Sequence, residues 1–311
     1  MSIQKQVGLQ KIILDTDIGD DIDDAFALYY LLAKNTTEIL GVTTVYKNVV
    51  ERSKIAKRFI RLSQREIPVL AGVNEPLRKN VRLLYGEKVR DDGLIKIDHY
   101  TDDLDGESYE SETAVDFILR TLKENPNEVT LVAIGPLTNL AKCVKKDLQT
   151  FRLAKEILLM GGRFNDKIAE WNIETDPDGA REVLHSGVPC KIVPFDATNR
   201  CTLKKDGVEK IRALKGEAEE YLCKMMNRWI EHDDENWRGE KIPVLHDVLA
   251  VMELDGDTFF QKRTIRFSLP LQGENADCTV EEENGEFTAT LLYDFNQETF
   301  YEKFWNTVLN Q

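Results

Sequence analysis

Apolar positions change their spacing twice within the first thirty residues. Ile12, Ile13 and Leu14 are consecutive, as in a strand covered on both faces, and from Asp23 onward apolar residues dominate a helical stretch. The alternation then repeats along the chain. Apolar runs predict strands over 38–45 (EILGVTTV), 67–71, 129–134, 156–160 and 191–195. Between them, spacing and start signals predict helices over 23–34 and 49–62, the latter with Ile55, Phe59 and Leu62 apolar among basic residues. A further helix is expected after a Ser111 cap, with Ala114, Val115, Ile118 and Leu122 inward. Others are expected after the Gly-Pro turn of GPLTNLA and over 178–185.

Residues 206–254 read as helical, with a polar interruption over 231–241. The last quarter changes character: 264–268 and 286–293 alternate like antiparallel strands, and a helix closes the chain over 298–309. Strands and helices that alternate in this way predict an α/β fold. The expectation is a single domain over 1–311: an open, mostly parallel, Rossmann-like sheet with helices on both faces and a small antiparallel addition near the C-terminus. Residues 74–106 are polar and irregular, which suits a long surface region near a site.

Composition narrows the class. The 311-residue chain has 41 basic and 55 acidic side chains, a net charge of -14, and this argues against nucleic-acid partners. No apolar run reaches the 18 residues of a membrane span, and the first ten residues, MSIQKQVGLQ, lack an apolar signal region. A cytoplasmic protein without membrane contacts is the expectation. Five scattered cysteines, odd in number and without a CxxC pair, fit reduced thiols better than a disulfide framework or a zinc site.

The candidate chemistry lies in KIILDTDIGDDIDDAFAL, residues 11–28. Asp15, Asp17, Asp20, Asp21, Asp23 and Asp24 fall within ten positions, at the carboxyl end of the first strand, where open α/β sheets build their sites. Such crowding is unfavourable unless a cation or hydrogen-bond donors offset it. Hard carboxylate oxygens suit calcium or magnesium, and a flexible loop with many acidic groups suits calcium (Ca2+). Capping by Asp23 and the helix dipole would account for one or two aspartates, not six.

Six separated segments then follow in order: DTDIGDDIDDA, TTVYKN, AIGPLTNLA, LLMGG, EWNIETDPDGA and HDVLAV. With this set the chain resembles the inosine-uridine preferring nucleoside hydrolases over essentially its whole length, to the closing YDFNQETFYEKF. The resemblance implies calcium-dependent hydrolysis of the bond between base and ribose, a small-molecule ribonucleoside substrate, and a homodimer or homotetramer. It implies metal ligands at Asp17, Asp24, Asp247 and the backbone carbonyl of Ile134. Asp17 would also take the proton from the attacking water, and Asp15 would support the loop. Asp23, Asn48, Glu170, Asn172 and Asp247 would hold the ribose hydroxyls. His246 would protonate the departing base, and Met160, Trp171, Trp237 and Arg238 are candidates for the pocket wall.

Several of these residues have plainer readings. Asn48 has the type and place of a cap for the helix beginning at Val49. Met160 suits a core, as do the tryptophans. Glu170 and Asn172 have the alternate spacing that puts two side chains on one side of a strand, which a solvated face would also show. His246 has a suitable titration range, or is a satisfied structural histidine. Asp247, inside an apolar helical pattern, needs a partner.

The chain also departs from the family's common pattern. The first motif is two residues longer, which leaves Asp20 and Asp21 without an assigned role. Residues 89–93 read VRDDG where many members have a histidine, and the stretch between Gly162 and Glu170 is short, which moves one expected asparagine to Asn165 or removes it. Two further readings follow. A relative that binds ribosides without cleaving them is one, and a phosphatase with an aspartate nucleophile in LDTDIGDD is the other.

Overall fold

A computed structural model of the chain describes residues 9–34, 36–78, 96–231, 241–256 and 259–309. The expectations for Trp237, Arg238 and residues 89–93 lie outside these. The fold is built from β1 (Gln10–Thr16), α1 (Asp23–Ala33), β2 (Thr37–Thr44), α2 (Val49–Leu62), β3 (Val69–Ala71), α3 (Ala114–Glu124), β4 (Val129–Ala133), α4 (Thr138–Phe151), β5 (Glu156–Met160), α5 (Trp171–Thr175) and α6 (Pro177–Leu184). There follow β6 (Cys190–Val193), α7 (Phe195–Thr198), α8 (Lys205–Ala213), α9 (Glu217–Glu231), α10 (His246–Val251), β7 (Phe260–Ser268), β8 (Val280–Glu281), β9 (Phe287–Phe295) and α11 (Gln297–Leu309).

The nine strands among the described residues form one sheet, in the order β3-β2-β1-β4-β5-β6-β9-β7-β8. The first six run parallel, with β1 between β2 and β4. The chain therefore moves outward in one direction through β2 and β3, then returns past β1 to β4 and moves the other way. This reversal opens a crevice beyond the carboxyl ends of β1 and β4, the usual ligand position in an open α/β sheet.

Alternation along the strands divides the core in two. Ile12, Leu14, Val132, Leu158 and Met160 face one layer, which includes Phe26, Phe59, Leu249 and Phe304. Ile13, Leu131, Ala133, Ile157 and Leu159 face the other, with Phe117, Leu140 and Val183. Helix α1 is buried almost all round because it packs against α10, α11, α2 and α9, and so its sequence lacks a polar face.

Several boundaries differ from the sequence expectation, each for a local reason. The third strand is Val69–Ala71 and begins after Pro68, which has no N–H for a ladder. The sixth ends at Val193, before Pro194, and Phe195 opens a short helix instead. Thr113, not Ser111, caps α3, by accepting a hydrogen bond from the Asp116 amide. Asp176 caps α6, with Pro177 at its first position. The EWN segment is not a strand: Glu170 caps α5, and Trp171 and Asn172 lie in its first turn. The C-terminal hairpin belongs to the main sheet, since β9 pairs in parallel with β6 and antiparallel with β7.

At Gly72 an added Cβ would lie 2.2 Å from the Thr44 carbonyl oxygen and 2.4 Å from the amide of Asn139. The Thr44 contact is backbone and cannot swing aside. Gly72→Ala should therefore cost about 1–3 kcal/mol, read as a lowered midpoint in urea unfolding; an unchanged midpoint would contradict this packing.

Candidate active site

The crevice is lined by chain turns that leave the sheet at β1, β2, β4 and β5. Asp15, the penultimate residue of β1, is buried. Its Oδ1 accepts hydrogen bonds from the Thr43 hydroxyl at 2.5 Å and the Asn139 amide at 2.7 Å. Burial pushes its carboxyl up to about 7, and these two donors oppose the shift. The Ile134 amide donates to the Asp15 carbonyl, which ties the end of β4 to β1.

Three carboxylates meet next to this point. Asp23 and Asp24 stand in the first turn of α1, and Asp247 in the first turn of α10, which packs against α1. One oxygen from each lies within 4.8 Å of the others, and all three residues are at most 6 % exposed. Burial raises each well above the ordinary aspartate value, and the neighbouring carboxylates raise it further. Asp23 and Asp247 hydrogen-bond side chain to side chain. The Thr16 hydroxyl donates to Asp24 Oδ1 and orients it. None of the three is ion-paired with a described lysine or arginine. Three buried hard-oxygen donors without a described ion-pair partner can hold a hard metal ion.

Asp17 lies at the rim of this group. It is half-buried and is not one of the three converging carboxylates, but its charge raises the pKa of each of them. Its side chain hydrogen-bonds Trp171 and sits against the loop after β4: an added Cβ at Gly135 would come 2.8 Å from Asp17 Oδ1. Burial pushes its carboxyl up to about 6, opposed by the Arg52 guanidinium and assisted by Asp20.

Asn172 and Glu170 organise the other wall. The Asn172 amide donates to the carbonyls of Ile134 at 3.2 Å and Met160 at 3.1 Å, and so bridges the ends of β4 and β5. Glu170 Oε1 accepts from the Asn172 amide N–H, and Oε2 from those of Gly162 and Ile173. Burial raises its carboxyl to about 7 against these three donors. Glu170 is thus employed as a helix cap, a role that the expected strand concealed.

Asn48 does not cap α2. It occupies the capping position with φ 37° and makes no capping bond through its side chain. Tyr46, Lys47 and Asn48 form an unbroken left-handed run, φ 66°, 41° and 37°, which costs about 1–2 kcal/mol per residue. His246 Nδ1 lies 2.7 Å from the Thr198 hydroxyl, and its ring stacks on Phe195 at 5.4 Å. Burial pulls its pKa down to about 4, so the imidazole is neutral at neutral pH and the titration range expected of it does not hold. Asp20 pairs with Arg52, Asp21 is exposed, and Asn165 is exposed with its amide donating to Asp196.

Thr16, Thr43, Arg52 and Asn139 were not singled out from the sequence. For Arg52 a signal existed: positions 52, 55, 56 and 59 share one helix face, and all are buried. Thr43 and Asn139 lie inside the TTVYKN and GPLTNLA segments but carry no type-specific mark.

The fold and the carboxylate group define an α/β protein with three buried carboxylates, able to hold a metal ion, at the switch point of its sheet. The profile of the inosine-uridine preferring nucleoside hydrolase family matches residues 12–302, and the chain belongs to this family. A pyrimidine-specific ribonucleoside hydrolase of Salmonella arizonae is 30% identical over 252 residues, 77% of this chain and 78% of the relative. A probable uridine nucleosidase of Arabidopsis thaliana is 29% identical over 238 residues, 72% of this chain and 70% of the relative. Among solved structures, a purine-preferring ribonucleoside hydrolase from Gardnerella vaginalis superposes with a TM-score of 0.79 at 25% identity, covering 96% of this chain and 98% of that one. The chain is a hydrolase of the class that acts on N-glycosyl bonds.

The raised carboxyls give a signed expectation. A carboxyl with a folded pKa above its unfolded 3.8 favours folding when protonated. This contribution is present at low pH and is lost as pH rises through the folded value. A cation that binds the ionised group reverses the loss. The stabilisation by a bound divalent ion, relative to a chelator, should therefore grow with rising pH, approaching about 2.7 kcal/mol at 100 times Kd. Scanning calorimetry checks this; a gain that is flat or falls with pH would contradict it.

Proposed function

We propose that the chain is a calcium-dependent ribonucleoside hydrolase that releases a free base and ribose. The observation that carries this reading is the buried group of Asp23, Asp24 and Asp247 at the sheet's switch point, in a chain of this family. Asp17, Asp24, Asp247 and the Ile134 carbonyl are the proposed ligands, and Asp23 stands among them. A divalent cation held there supplies a lowered pKa for water and a grip on paired hydroxyls.

Asp17 accepts the proton of the attacking water as the general base. Asp23, Asp247, Asn48 and Asn172 hold the ribose hydroxyls, with Glu170 acting through the turn that presents Asn172. Met160 and Trp171 line the sugar and base sides. His246 is a neutral hydrogen-bond partner for the departing base. A proton donor of that kind is weak, so oxocarbenium-like charge on the sugar bears more of the barrier.

The names of the relatives divide between pyrimidine and purine bases, so a substrate panel must contain both. Family membership leaves no room for the phosphatase reading. The departures at residues 89–93 and in the short stretch between Gly162 and Glu170 motivate the alternative of a binding relative without turnover, and the same panel decides between them. Five free cysteines accord with a reducing, cytoplasmic compartment. No described helix is long and apolar enough to cross a membrane. Assembly into two or four copies belongs to the same reading and is open to light scattering.

Purified protein with calcium should release base and ribose from at least one ribonucleoside, followed by chromatography and a reducing-sugar assay. No release from any purine or pyrimidine riboside would overturn the proposal. Asp17→Asn should lower kcat by about 10^2 to 10^4 with the melting temperature kept; wild-type turnover would remove Asp17 as the base. The matching 2′-deoxynucleoside should lose on the order of 10^4 in kcat/KM, because buried polar groups are left unpaired. Equal rates on the two sugars would show that the 2′-hydroxyl is not held.

A further inference from the structure

Arg52 is among the largest fully buried side chains of the described residues, and it reaches from α2 to the loop that carries Asp17. Nε donates to the carbonyl oxygens of Tyr46 at 2.7 Å and Lys47 at 3.2 Å. Nη1 donates to the carbonyls of Asp17 and, at 3.1 Å, Ile18, and Nη2 to Asp20 Oδ2 at 2.6 Å. One guanidinium thus grips two loops that no strand pairing holds: residues 17–20 after β1, and the left-handed turn 46–48 after β2. The first loop carries Asp17 and the second presents Asn48. Outside the sheet, the left-handed turn is also tied by Tyr46 and Lys47 amides donating to Val73 and Asn74 carbonyls.

We propose that Arg52, with Asp20 as its anchor, is a positioning residue that sets Asp17 relative to Asn48. This rests on the hydrolase reading above, in which these two residues face the water and the sugar. It also gives Asp20, one of the two residues the lengthened loop left unassigned, a specific task. The planar fork makes the arrangement particular to arginine: Nε serves one loop while both Nη groups serve the other. A lysine retains the charge but offers a single nitrogen that cannot reach both sets of acceptors. Asp20 is 41% exposed at its side chain, so its role can be tested without opening the core.

The experiment uses the full chain with calcium, comparing Arg52→Lys, Arg52→Ala and Asp20→Asn with wild type. Steady-state kinetics, calcium titration calorimetry and melting temperature are read together. Arg52→Lys should lose about 100-fold in kcat, the scale of a misplacement near 1 Å, with calcium affinity changed less than tenfold. Asp20→Asn should lose less, mainly in kcat, with an unchanged melting temperature. In Arg52→Ala, guanidinium at a concentration far below the denaturing range should restore part of kcat along a saturating curve, and urea should not.

Variants that lose only melting temperature, with kcat and KM intact where they remain folded, would overturn the clamp and leave the hydrolase reading standing. Equal rescue by urea would also overturn it. Should Arg52→Ala and Arg52→Lys fail to fold, Asp20→Asn decides: wild-type kcat and KM in that variant would overturn the proposal. A wild-type protein without turnover on any nucleoside would instead overturn the hydrolase reading, and the clamp with it.

Discussion

The repulsion among carboxylates buried at the end of β1 is the constraint that the rest of the site answers. Asp15, Asp23, Asp24 and Asp247 are each at most 6 % exposed, and each is pushed toward its neutral form by burial. Like charges at such separations cost several kcal/mol at an effective dielectric of about 20. The chain meets the cost in parts. Asp15 receives two donors, Asp24 receives the Thr16 hydroxyl, and Arg52 supplies one fixed positive charge within reach of Asp17, Asp20 and Asp24. The peptide dipoles of α1 favour negative charge in its first turn. One monovalent cation does not balance this set, so either protons or a divalent ion must complete it.

The positions of Asp15, Asp17, Asp23 and Asp24 could be read from the sequence because the aspartates follow an apolar strand and precede an apolar helix, which fixes them at one end of the sheet. The parallel arrangement was legible for the same reason. Asp247 required long-range contact between α1 and α10, which local patterning does not encode; apart from the family resemblance, only its place in an apolar helix suggested a partner. Strand ends were misread where proline decided them, at Pro68 and Pro194. The EWN segment was misread because alternate spacing over three residues fits the cap and first turn of a helix as well as a strand. There, Glu170 shows its identity only once the amides of Gly162, Asn172 and Ile173 are in place.

Strain in this molecule is concentrated where it positions something. Three consecutive non-glycine residues in the left-handed region are rare, and sequence gives no sign of them, since neither Tyr46 nor Lys47 favours that conformation. Their cost is borne by neighbours on both sides: Arg52 from below, residues 73 and 74 from beside, and an edge contact from Trp171 on the ring of Tyr46 at 6.4 Å. Trp171 in turn hydrogen-bonds Asp17. The turn that presents Asn48 and the carboxylate beside the cation place are therefore parts of one connected assembly, and a change in either is transmitted through Trp171 or Arg52.

This connectedness bears on how the proposed reaction would divide its effort. His246 is held neutral by burial, and its Nδ1 is engaged by Thr198, so this residue offers little protonating power on the base side. Glu170 is occupied by backbone donors and is similarly removed from direct acid catalysis. On the sugar side, the carboxylates of Asp17, Asp23, Asp24 and Asp247 would leave a net negative field even with a divalent ion held among them. A negative field of fixed groups stabilises developing positive charge on a ribosyl ring more than it stabilises the neutral substrate, and it does so without reorganising. In the proposed reaction the architecture would accordingly place its electrostatic advantage on the oxocarbenium-like sugar rather than on the leaving base.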